Sequence, residues 1–282
     1  MPSINFNAPA MINVNRLNHL GKGLMRSMER VASGTRITRA ADDVAAHGVA
    51  EFLRGQIRCM NVAARNVQDG IALANVAEGA LNEMHSMLHR IRELAIQSAN
   101  GTYTDEDRKY ITMEVDNLKA EINFISETTH YNGHTLLNGR GEWSTGKGGF
   151  IQMGPNSDKD VDFISHKIPP VNTVALGIDG DDLRVDTMEN AQEAIDKAAA
   201  AVEYINSVKG SLGAIANRLE FAWKNIEKLG EDNLAYESLL RDTDIAAEMI
   251  NITRDQIISQ YSNAMLAQAN QTPQSILQLL NR

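Results

Sequence analysis

With 282 residues, the chain is long enough for one large domain or two ordinary ones. Its hydrophobic fraction of 43 % is ordinary, but 33 Ala and only 14 aromatic residues supply it, so a core must be built of thin, closely spaced layers. A single cysteine excludes an intramolecular disulfide or a cysteine-based zinc cluster, no apolar run is long enough to span a membrane, and a net charge of −9 argues against nucleic acid as a general partner.

Residues 1–15 lack a basic stretch followed by an apolar one, so there is no conventional signal peptide, which on its own points to the cytoplasm. Charge is uneven: residues 1–65 carry a net +5, and 66–180 and 181–282 carry −7 each. A basic head and acidic remainder can attract each other within or between molecules, or the bias is only that of solvated helix faces. The six prolines leave 10–154 and 171–272 free of helix breakers.

Val14, Leu17, Gly21, Leu24, Met28 and Val31 alternate in spacings of three and four, a heptad seam that stops at Ser33-Gly34. After the polar run 35–43, a second seam takes in Met60, Ala64, Val67, Ile71, Ala74, Ala77, Leu81, Met84, Leu88, Ile91 and Ala95, ending at Asn100-Gly101. A helix from Asp43 to Asn100 would be ~85 Å long at ~1.5 Å per residue, which suits a rod better than a globule. Thr104 followed by Asp105, Glu106 and Asp107 starts another helix, predicted to run to Thr128.

Residues 133–180 hold nine of the 20 glycines and three prolines, and 149–153, 161–164 and 174–178 read as short strands or loops. Asp186 with Glu189 predicts a capping box for the next helix, whose seam runs from Ile195 to Leu229 and is expected to stop at Gly230. The last helix is predicted from Asp244, with Ile250, Ile257, Tyr261, Ala264 and Leu266 as its apolar stripe and six glutamines (256, 260, 268, 271, 274, 278) as an uncharged polar face. The fold class is therefore mainly α: a long antiparallel helical rod, a small β-rich turn-round and terminal helices that brings both ends of the chain together. A terminal helix with one apolar stripe is marginal until it has a partner.

The chemical motifs fail one by one. Residues 141–148 fit GxxxxGK, but Gly148 stands where a phosphate-binding loop needs Ser or Thr, and neither a strand nor a helix start flanks it. His85 and His89 have chelating i, i+4 spacing without an obvious third ligand, so surface polar positions are the expected reading. Asp158, Asp160 and Asp162 begin like a calcium loop, but Phe163 and Pro169 stand where Gly and Glu are needed. Cys59 is expected to be a small buried thiol. No catalytic, cofactor or metal constellation emerges, and an enzyme is not expected.

Several blocks, in order, carry a resemblance. Ser33-Gly-Thr-Arg-Ile-Thr-Arg-Ala-Ala-Asp-Asp43 resembles the S-G-x-R-I-N-x-A-x-D-D signature of bacterial flagellins, with Thr38-Arg39 where Asn-Ser is usual. Arg65–Ile71 is similar to R-N-x-x-D-G-I, Ala77–Leu81 to T/A-E-G-A-L, and Arg90–Asn100 to R-x-R-E-L-A-x-Q-S-A-N. Tyr131-Asn-Gly133 resembles the F-N-G that ends the second rod helix, and Met265–Asn270 with Pro273, Leu277, Leu279 and Leu280 resembles the family's C-terminal end. Together they cover about residues 1–140 and 185–282. The middle is only about 45 residues, and Gln152-Met-Gly-Pro-Asn156 is similar to a segment of short spirochaete-type flagellins.

The resemblance implies a filament subunit, exported unfolded through a type III apparatus by an uncleaved signal. Its domains would be 1–33, the N-terminal helix of an inner coiled coil; 34–46, a joint; 47–130, rod helices; 131–185, a small β and loop region; 186–230, the returning rod helix; 231–243, a second joint; and 244–282, the C-terminal inner helix. The terminal helices, disordered in the monomer, would pair around a central channel through Leu17, Leu20, Leu24, Met28, Ile257, Tyr261, Leu266, Ala267, Leu277 and Leu280. Arg36, Ile37, Asp42 and Asp43 would make the joint, and Arg90, Leu94 and Glu114 would serve rod packing or an innate-receptor surface. Implied partners are other copies or related flagellins, an export chaperone and the export apparatus, cap and hook–filament junction proteins, and sheath proteins, with neither nucleic acid nor membrane insertion. A periplasmic flagellum is the expected location, ahead of an external filament. A hook–filament junction protein of the same fold is the alternative, and a helical metal protein using His85 and His89 a third reading.

Overall fold

A computed structural model describes residues 7–145, 149–158 and 162–280, without the side chains of Asp181 and 272–280. The fold is mainly α. In chain order the described elements are α1 (Ala8–Ser33), α2 (Val44–Ser98), α3 (Asp105–Thr128), β1 (His130–Tyr131), β2 (His134–Thr135), α4 (Glu142–Thr145), β3 (Phe150–Gln152), β4 (Phe163–Ser165), α5 (Thr173–Leu176), α6 (Met188–Arg241) and α7 (Ile245–Leu280).

The helix starts follow capping chemistry. The Asn7 side chain accepts the Ala10 amide, so α1 begins before Pro9; the ring sits in the first turn, where its missing N–H costs nothing. Asp43 accepts the Ala46 amide at 2.9 Å and starts α2. Thr104 and Asp107 form a reciprocal capping box for α3, and the Thr104 hydroxyl holds the Asp107 carboxyl below its usual range. At α6 the expected Asp186 and Glu189 box is replaced: Thr187 Oγ1 accepts the Asn190 amide, while Asp186 takes the Asn190 side chain. Helix α6 also passes through Gly230 to Arg241. One interior glycine costs only about 1 kcal/mol, and the following Glu, Leu, Ala and Arg are good helix formers.

The chain divides into two compact units, one of residues 58–231 and one of 1–57 with 232–282. In the first, Leu81, Met84, Leu88 and Ile91 of α2 meet Ile111, Val115 and Ile122 of α3 and Ala191, Ala194, Ala198, Ala201 and Ile205 of α6. The alanines let helices approach closely, which is how a core with few aromatics reaches interior density. A second cluster joins Ala63, Val67, Leu219 and Ile226 to Ile151 and Ile164 of the antiparallel β3–β4 pair. Gly70 leaves the room on α2 that Ile151 fills.

Between α3 and α6 the chain is anchored by polar contacts. Asn132 and Gly133, both at positive φ, turn β1 into β2. Within 174–178, expected as a short strand or loop, α5 (Thr173–Leu176) forms a helical turn because the Asn172 side chain caps the Ala175 amide at 2.8 Å and Gly177 closes it in the left-handed region. Buried Arg108 donates to the Ser98 and Asn100 carbonyls, the free end of α2, and buried Lys119 donates to the Leu183 and Gly180 carbonyls. Cys59, expected inside, is exposed on α2. The His85 and His89 rings meet edge to face at 4.5 Å, and among the described residues no group of three metal-type ligands exists. Gly146, Lys147, Gly148 and Asp160, on which the phosphate-loop and calcium-loop readings partly rest, lie outside the described residues.

Candidate assembly surface

The second unit is built on α1 and α7, packed along each other. Their contacts fix an antiparallel register: Asn7 Nδ2 donates to the Ala269 carbonyl at 2.9 Å, Arg30 pairs with Glu248 at 3.6 Å, and the Thr243 amide reaches the Gly34 carbonyl at 3.0 Å. The two terminal helices are thus paired within one chain.

Burial identifies the facing positions. On α1 they are Asn13, Leu17, Leu20, Leu24, Ser27 and Val31; on α7, Glu248, Ile252, Asp255, Ser259, Ser262, Leu266 and Ala269. Both sets alternate in threes and fours, as a coiled-coil seam requires. The seam is shifted from the expected one, in that Val14, Gly21 and Met28 turn outward and Asn13, Leu20 and Ser27 take their places. Small and polar side chains dominate the α7 side. At Gly23, a Cβ would already touch Asp255 Oδ2.

The apolar stripe of α7 lies elsewhere. Ile250, Ile257, Tyr261 and Ala264 project from the side opposite Glu248 and Ser259, roughly half a turn around the helix at ~3.6 residues per turn. Ile257 is 61 % exposed and Tyr261 66 %, whereas the neighbouring Ser262 is 4 % exposed. Ile245, Met249 and Met265 extend the exposed apolar surface on α7, and Met11, Ile12, Val14, Met25 and Met28 add to it on α1. Single exposed apolar residues are unremarkable, but a periodic set along paired helices marks a contact face.

The polar anchor of the seam is Glu248. The Ser27 hydroxyl, the Asn251 amide at 3.3 Å and the Arg30 guanidinium hold its carboxyl below the usual carboxylate range against the opposing effect of burial. At the joint, the Arg36 amide bonds the Arg241 carbonyl and its guanidinium the Leu240 carbonyl at 2.9 Å, with Thr35 and Asp242 forming an antiparallel bridge. Gly34, at φ +70°, supplies the left-handed step that ends α1. Ile37 is buried beneath the joint. The Thr38 hydroxyl, then the Arg39 amide, lower the Asp42 carboxyl, and Arg39 forks onto Glu29 at 2.7 Å.

Of the other positions singled out in the sequence, Leu17, Leu20, Leu24 and Leu266 are half-buried in the pair, while Met28, Ile257, Tyr261 and Ala267 are exposed. The side chains of Leu277 and Leu280 lie outside the described residues. In the other unit, Arg90 Nη2 meets Glu114 Oε1 at 2.7 Å on the surface. Leu94 is 2 % exposed and belongs to the core, so it does not share a surface with Arg90 and Glu114. Sequence reasoning missed Ser27, Glu248, Asp255 and Ser262. A polar residue at a seam position leaves no mark in a search for apolar periodicity.

Comparison with known proteins bears on both halves of this arrangement. Residues 4–142 match the bacterial flagellin N-terminal helical region and 193–280 the bacterial flagellin C-terminal helical region. The chain belongs to the bacterial flagellin family. It is 40 % identical to the flagellar filament 33 kDa core protein of Treponema phagedenis, across 98 % of this chain and 99 % of that one. It is 41 % identical to a flagellin of Halalkalibacterium halodurans over the same shares. A solved flagellar hook-associated protein from Vibrio parahaemolyticus matches with a TM-score of 0.56 at 13 % identity, covering 71 % of this chain and 99 % of that one; at that identity the likeness speaks of fold alone. This flagellin is a structural subunit of the flagellar filament, and the hook–filament junction reading is not favoured.

Proposed function

We propose that the outward apolar face of the α1–α7 pair is the surface through which neighbouring subunits build the inner tube of the filament. The observation that carries this reading is the periodic exposure of Ile250, Ile257 and Tyr261 on a helix whose opposite side is already taken up by α1. Residues 34–43 with 242–244 act as the joint, and the unit from 58 to 231 supplies the protofilament contacts, with the Arg90–Glu114 pair on its surface. Gln256 and Gln260, exposed on α7, face the channel. The chain leaves the cell body through a type III export apparatus with a dedicated chaperone, and its filament meets cap, junction and sheath proteins.

We further propose a periplasmic flagellum. The short middle segment, Gln152–Asn156 and the Treponema relatives support this reading. The equally matched Halalkalibacterium flagellin supports an external filament as the second reading. Tomography of cells separates them by whether the filament runs inside or outside the outer membrane.

Removing residues 245–282 tests the assembly reading. The truncated chain is expected to remain soluble with a folded 58–231 unit by circular dichroism and to form no sedimentable filament. Filaments grown from it would refute the reading.

A further inference from the structure

Three Asn-Gly pairs occur in the chain, at 100–101, 132–133 and 138–139. An asparagine before glycine is chemically labile, because no side chain on the glycine hinders its amide nitrogen from reaching the asparagine's side-chain carbonyl carbon. The attack requires the asparagine side chain to swing onto its own following amide. The three surroundings therefore decide which pair reacts in the folded chain.

Asn138 is the most tightly held. Its Oδ1 accepts the Arg140 amide at 2.9 Å, the Gly141 amide at 3.1 Å and the Thr135 hydroxyl at 3.2 Å. Pro170 also crowds Gly139, lying 2.9 Å from where a Cβ would stand. Asn100 is held less, with Oδ1 accepting the Thr102 amide at 3.3 Å and its backbone carbonyl taking the Arg108 guanidinium. Asn132 differs from both. It is exposed, nothing among the described residues hydrogen-bonds its side chain, and no atom lies within 4 Å of where a Cβ on Gly133 would stand. It is also the one described residue other than glycine at positive φ, 49°. Only the two-residue strands β1 and β2 hold its turn, and so short a hairpin resists local motion weakly.

We infer that Asn132 is a site of spontaneous modification. The Gly133 nitrogen attacks Cγ of Asn132 and the N–Cγ bond forms. The Cγ–Nδ2 bond breaks, and Nδ2 leaves as ammonia with the proton from the Gly133 amide. Water then opens the five-membered imide at either carbonyl, giving aspartate or isoaspartate. Solvent water is the co-reactant, and no oxidant or reductant takes part. Either product places a carboxylate beside Asp69 and Glu142, with which Asn132 lines one cavity. Isoaspartate also lengthens the backbone of a two-residue turn whose geometry sets the Tyr131–His134 register. The reaction concerns the unit from 58 to 231 and does not depend on how subunits assemble.

The test holds the purified full chain in mildly alkaline buffer, with and without urea. Peptide mapping by mass spectrometry follows the three pairs, and isoaspartate is counted by enzymatic methylation. In the folded chain, conversion at 132 is expected to run several-fold faster than at 100 or 138; in urea the three rates should draw together. Isoaspartate should outweigh aspartate at 132. Conversion at 100 or 138 as fast as at 132 in the folded chain overturns the inference. So does a folded chain in which 132 stays intact while the unfolded chain converts. The same order and spread of rates in urea would show that local sequence, and not the fold, selects Asn132, and conversion without isoaspartate would refute the ring-closing step.

Discussion

The two units reach helix packing by opposite means. In the unit from 58 to 231, large and small apolar side chains interlock on three helices, and two buried cations there, Arg108 and Lys119, donate to backbone carbonyls. In the unit of the chain ends, the seam mixes Leu17, Leu20, Leu24, Val31, Ile252 and Leu266 with Asn13, Ser27, Glu248, Asp255, Ser259 and Ser262, and further apolar residues face out. The first unit completes its own core. The second pairs its two helices and leaves apolar residues exposed along both.

Substitutions can break or sharpen that contrast. Leu88→Ala opens a cavity in a fully buried position and is expected to cost about 2–5 kcal/mol by urea denaturation of the monomer. Arg108→Met leaves the end carbonyls of α2 without their buried donor and should cost about 1–3 kcal/mol. Arg90→Ala removes an exposed ion pair with Glu114 and should move monomer stability by no more than about 1 kcal/mol. If Leu88→Ala proved no more costly than Arg90→Ala, the first unit would not own the core assigned to it.

The pair of chain ends responds to acid in a direction set by Glu248. Because its carboxyl is held below the ordinary value of 4.5, it binds fewer protons when paired than when free. Its contribution is therefore present above 4.5 and is lost as the pH falls through the lowered value. Reactivity of a thiol placed at Ser262 in the Cys59→Ser chain should rise over that acid range. Glu248→Gln should flatten the rise; an unchanged acid limb would remove Glu248 from the account.

Much of the fold was legible in the chain itself. The Thr104 cap, the Asn100-Gly101 end, and the Met60–Ala95 seam follow from local propensity and period, which the packed unit obeys. Gly230 misled because a glycine ends a helix only when the following residues cannot continue it. The strand or loop expected over 174–178 is in part a helical turn, started by the Asn172 cap. Arg36, Ile37, Asp42 and Asp43 were singled out through their family motif, and the structure gives each a bond or a buried position. Which side of α7 meets α1 was not legible. Periodicity reports that a helix has an apolar side, but not whether the same chain or a neighbour covers it, and Ser27, Glu248 and Ser262 are silent in such a pattern.

The most direct measurement of the central claim is a cryo-electron microscopy reconstruction of the assembled filament at side-chain resolution. The account predicts that Ile250, Ile257 and Tyr261 of one subunit are buried against neighbouring subunits, with the Arg30–Glu248 contact kept inside each subunit. Finding those three side chains packed on the subunit's own α1, or open to the channel, would contradict it.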